Sequence, residues 1–179
     1  MRSLKMRTRP LALAALGGAL AYSLTGCGGN SGPATDGPLK GGSFGSPGGS
    51  SVCAPARVGQ PRAFGFDTFT NHGHATIALS RVALLRPHNE RLVGSFAVPG
   101  VYMVGEAAWP PRPPVTPTWK DRQRVHGFRL PPGKTFNMVL GVVAPARGHA
   151  TSQGMRIYYR DTAGSSYLLF VPHKMPSCF

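Results

Sequence analysis

The chain has 179 residues and carries 20 Lys and Arg against 6 Asp and Glu, a formal net charge of +14. Carboxylates this scarce offer little to acid–base catalysis, and nothing supports the paired acids of glycoside cleavage. A basic chain of this size points to anionic neighbours and to one folded domain, not to a large multidomain enzyme.

The first segment is a leader. Arg2, Lys5, Arg7 and Arg9 precede an apolar run from Leu11 to Leu24. That run falls short of the roughly 20 apolar residues a bilayer-spanning helix needs, and it has the flanks of a secretory signal. It ends in Leu24-Thr25-Gly26-Cys27, which resembles the lipobox of bacterial lipoproteins. The resemblance implies cleavage before Cys27, a diacylglycerol on its thiol, and a protein held on the extracytoplasmic face of the cell membrane. Two or more acyl chains give stable anchoring where one does not. The usual Ala-x-Ala site of an ordinary secretory signal is absent.

Residues 27–51 read as a lipid-anchored Gly/Ser/Pro-rich tether, in which only Leu39 and Phe44 are large enough to pack. Such composition behaves as a random coil. The domain is therefore expected over 52–179. With Cys27 as the lipid site, Cys53 and Cys178 remain as a pair at opposite ends of the domain. Outside the cytoplasm they are expected as a disulfide, with two free thiols as the competing reading.

The domain reads as strands throughout. Ile77 and Leu79 share one face while Val82 and Leu84 share the other, so a bulge is expected near Ser80-Arg81. Leu92, Gly94, Phe96 and Val98 alternate, as do Phe136, Met138, Leu140 and Val142, the period of half-buried strands. Asn71-His72-Gly73 and Pro131-Pro132-Gly133 read as turns. Residues 155–160 and 167–171 flank Asp161-Thr-Ala-Gly-Ser165 as a terminal hairpin. About seven to eight strands predict an all-β, antiparallel immunoglobulin-like sandwich. The pattern from Phe69-Thr-Asn-His-Gly onward resembles Ig-like domains of bacterial surface lipoproteins, particularly those of high-GC Gram-positive bacteria. That resemblance covers most of residues 60–172 and brings no activity with it.

Residues 105–119, GEAAWPPRPPVTPTW, hold too many prolines for a central strand and read as an extended connection across one end or edge. Trp109 and Trp119 bracket it. Either they pin the segment to the sandwich, or, with Arg112, Arg122 and Arg124, they form a binding surface.

From residue 52 onward, twelve Arg and three Lys stand against five acidic residues, scattered rather than in blocks. Evenly spread charge is one reading. The other is an exported domain that meets phospholipid head groups, anionic envelope polymers or another envelope protein, and not nucleic acid. No catalytic set is legible and no cofactor is expected: there is no Gly-x-Ser-x-Gly elbow, and Asp161-Thr162-Ala163 falls where a turn belongs. The alternative function is copper handling. His72 and His74 would share one face of an extended strand, and His173-x-Met175 is similar to part of the pattern of periplasmic copper chaperones. Their upstream His-Met pair is missing, while Met103, Met138 and Met155 fall at expected core positions.

Overall fold

Strand-forming sequence dominates the folded part of the chain, and the order in which its strands pair defines the architecture. The computed structural model describes residues 34–41, 54–55, 57–112, 116–172 and 177–178. Among the described residues twelve strands run in chain order: β1 (Leu39–Gly41), β2 (Ala54–Pro55), β3 (Arg62–Asn71), β4 (Ile77–Leu84), β5 (Arg91–Pro99), β6 (Gly105–Ala108), β7 (Gln123–Arg124), β8 (Arg129–Leu130), β9 (Thr135–Val143), β10 (Gly154–Asp161), β11 (Ser166–Pro172) and β12 (Ser177–Cys178). One sheet has the order β1-β3-β9-β5-β7, with β6 also on β3; the facing sheet is β11-β10-β4-β8. Assigning β1, β3, β4, β5, β9, β10 and β11 to strands A to G reproduces the ABED and CFG sheets of a constant-type immunoglobulin domain. The protein is an antiparallel, immunoglobulin-like β-sandwich.

Phe136, Met138, Leu140 and Val142 of β9 point between the sheets, where they meet Phe69, Ile77, Leu79, Met155 and Ile157 in the main core. The expected bulge is at Ser80. The β4–β10 register slips between Tyr158 and Tyr159, leaving Ser80 unmatched, and its Oγ donates to the Tyr158 carbonyl at 2.9 Å. The slip brings Val82 inward beside Ile77 and Leu79, which strict alternation would forbid. The terminal hairpin also forms, with Arg160 opposite Ser166 and Gly154 opposite Pro172.

Three expectations change. First, β9 is buried on both faces, because a second apolar cluster of Ala63, Val98, Val104, Trp119 and Val139 covers the outer face of its sheet. Second, Leu92, Phe96 and Val98 do not share a face. A register shift between Leu92 and Gly94 leaves Val93 unmatched, so Leu92 packs on the main core while Phe96 and Val98 join the outer cluster. Third, part of the expected tether belongs to the fold. Residues 39–41 pair with the end of β3, Leu39 is 0% exposed, and Ala34 bridges to Tyr167. Leu39 donates its N–H to the Tyr159 hydroxyl at 3.2 Å, while Gly37 sits so close to the stacked Tyr159 and Tyr167 rings that any side chain would collide. Burial pushes the Tyr159 phenol above its ordinary pKa.

Short parallel strands β2 and β12 set Cys178 opposite Pro55. The bond expected between Cys53 and Cys178 lies outside the described residues, as does the lipid site Cys27.

Candidate functional site

The Pro-rich connection begins at an edge, as expected, with β6 paired to β3, and then brings Trp109 onto the outer face of the larger sheet. Two glycines make this possible. A Cβ on Gly141 would lie 2.3 Å from Trp109 Cδ2, and one on Gly94 would lie 2.7 Å from Trp109 Cζ2. The indole therefore rests directly on bare backbone of β5 and β9. Gly141→Ala is expected to cost about 1–3 kcal/mol by overpacking. Combined with Trp109→Ala, which removes the obstructing ring, the costs should fall well short of additive in urea unfolding. Strict additivity would mean that the ring does not sit there.

From Trp109 the aromatic contacts continue inward. Phe96 stacks on Trp109 with centroids 5.3 Å apart and meets Trp119 edge-on at 5.7 Å. Trp119 begins a 3-10 turn, Trp119–Asp121, and is 1% exposed. The Arg122 guanidinium donates to the Trp119 carbonyl at 3.2 Å and lies 4.8 Å from its ring centroid, a cation–π position. Arg124 on β7 is directly opposite Phe96 on β5. Asn137, fully buried on β9, ties the preceding segment down: its Oδ1 accepts from Val104 N at 3.1 Å and its Nδ2 donates to the Asp67 carbonyl at 2.8 Å.

The five residues of the expected binding surface thus separate. Trp109 and Arg124 line one open groove of about 430 Å³, together with Phe96, Pro110 and His126. Arg122 borders it through Phe96. Arg112 is exposed but does not line the groove. Trp119 is a buried support and not a contact residue, because the sheet face below it would otherwise be bare apolar surface. Phe96 and His126 were not read as site residues. Phe96 carried only a core-strand signal, and no local pattern marks His126, which also borders a second groove containing Arg81, Tyr158 and Tyr167.

Of the copper set, only the first pair lies within the described residues. His72 and His74 are exposed in the turn after β3 and not alternate on a strand, since β3 ends at Asn71. His173 and Met175 lie outside the described residues. Met138 and Met155 are core residues as expected, but Met103 is 50% exposed. Among the described residues no three His, Cys, Asp or Glu converge as metal ligands. Asp161 acts in its turn: one carboxylate oxygen accepts from Ser165 N at 2.9 Å and the other from the Tyr167 hydroxyl at 3.0 Å.

No protein-family model and no curated protein matches this chain. Among solved structures, the ASH/PapD-like domain of human CEP192 (PapD-like domain 7) is similar at 11% identity and a TM-score of 0.38, over 95% of this chain and 98% of that one. The strand order, not this likeness, defines the fold.

Proposed function

We propose that this is a lipid-anchored, non-enzymatic binding module on the extracytoplasmic face of the membrane, and that its groove holds an anionic envelope polymer. The observation that supports the reading is the groove beside Trp109: an aromatic floor with Arg124 in its wall, Arg122 at its border, and no carboxylate among its lining residues. An aromatic face accepts the apolar side of a sugar or polyol. A guanidinium matches phosphate or carboxylate with paired donors, and Arg122 is held in place by the Trp119 carbonyl and ring. The groove sits on paired strands, so little ordering cost attends binding.

The test uses a poly(glycerol phosphate) wall polymer. Arg122→Ala with Arg124→Ala should weaken retention about tenfold or more, the scale of losing charge-assisted hydrogen bonds. Arg86→Ala with Arg91→Ala removes the same charge elsewhere on the surface and should change retention little, as should Arg112→Ala. Equal weakening by both pairs would reduce the interaction to net charge and defeat the groove.

A further inference from the structure

We propose that the end of the sandwich where the chain enters at Ala34 rests on the membrane surface, with Val101, Tyr102 and Met103 set among the lipid head groups. This rests on the lipid anchor at Cys27 and goes beyond it by assigning the face that meets the bilayer.

Backbone hydrogen bonds identify that end. Ala34 donates to the Ser166 carbonyl at 3.0 Å, His72 to Pro38 at 2.9 Å, Thr162 to Thr76 at 3.1 Å, Asn71 to Lys134 at 3.0 Å and Gly100 to Thr135 at 2.8 Å. The turns at 72–76, 131–134 and 161–165, the entering chain and the start of the 100–103 loop therefore lie together. The loop then turns back toward β9, where Val104 is bonded to Asn137.

Three successive large apolar residues of this loop are open to solvent: Val101 is 67% exposed, Tyr102 53% and Met103 50%. Val58, Val93 and Phe170 are also exposed, but each is single in sequence. Single exposed apolar residues are ordinary, whereas contiguous ones mark a contact. The same end carries exposed Lys40 and Lys134. Of the acids there, Asp36 and Asp121 are exposed and Asp161 is engaged by Ser165 and Tyr167. Charge alone would not choose this end, because Arg57, Arg86, Arg91 and Arg147 are exposed toward the other. Covalent length does choose it. Seven residues from Cys27 to Ala34 span at most about 25 Å, and the far turns lie roughly 30 Å farther on, at the other end of strands nine or ten residues long. An amphipathic loop beside a short tether, with lysines flanking it, is the chemistry of an interfacial contact with anionic lipid.

The experiment is peroxide oxidation of Met103, read by mass spectrometry on the full chain carried on vesicles of phosphatidylglycerol and phosphatidylcholine. A Cys27→Ser chain free in solution is the reference, and buried Met138 and Met155 report folding. Vesicle binding should slow Met103 oxidation about tenfold. Val101→Ser with Tyr102→Ser should return it to the solution rate while the chain still floats with the vesicles. A floating chain whose Met103 oxidises at the solution rate overturns the docking and leaves the anchor standing. A chain that neither floats nor carries lipid on Cys27 overturns both. Protection that appears in the vesicle-free chain as its concentration rises assigns the loop to a second copy and overturns the membrane contact.

Discussion

Trp119→Ala should lower the stability of the protein by about 3–5 kcal/mol, the range for truncating a buried aromatic residue. Trp119 is 1% exposed and sits in the cluster formed by Ala63, Val98, Val104 and Val139, with Phe96 edge-on to its ring. Its indole nitrogen has no hydrogen-bond partner among the described residues, so the loss is one of packing, not of a polar contact. The effect should appear as a lower urea midpoint at nearly unchanged slope. Trp119→Phe keeps a ring in the site and should recover part of the loss. A cost below about 0.5 kcal/mol, the scale of ordinary surface substitutions, would place the Pro-rich segment outside the cooperative fold. The groove would lose its support with it, since Arg122 is held by the Trp119 carbonyl and ring.

Leu39→Ala should cost about 2–5 kcal/mol. The residue lies in a stretch whose composition reads as tether, yet its side chain is 0% exposed in the main core, and β1 is the edge strand on β3. The same substitution in a solvated tether would change stability by less than about 0.5 kcal/mol, so one unfolding curve separates the two descriptions. A second consequence concerns reach. With residues 34–41 in the fold, the stretch between Cys27 and the sandwich is much shorter than the 27–51 segment suggests, and under the proposed lipid anchor the domain would stay close to the membrane.

The grooves and clusters show how position in the sheet overrides local pattern. Phe96 alternates cleanly with Leu92, and on that basis both belong to one face. The unmatched Val93 turns Phe96 to the outer face, where it becomes the link between Trp109 and Trp119. A bulge that changes phase within one strand, as at Ser80, leaves a trace in that strand's own alternation. The one at Val93 leaves none, because glycine at position 94 and polar Ser95 satisfy either phase. Met103 likewise reads as a core methionine, and its exposure follows from where the loop leaves the sheet at Gly100.

From sequence alone came the class of the fold, the inward set of β9, the Ser80 bulge and the terminal hairpin, because each is encoded by alternation or turn chemistry within a few residues. Tertiary structure alone decided that Leu39 is core, that Trp119 supports and Trp109 lines a groove, and that His72 and His74 stand in a turn and not on a strand. Those outcomes depend on which distant backbone lies alongside. Bare backbone at Gly94 and Gly141 admits an indole, and the Tyr159–Tyr167 stack admits Gly37. Contacts of this kind join residues far apart in the chain, so no local pattern records them.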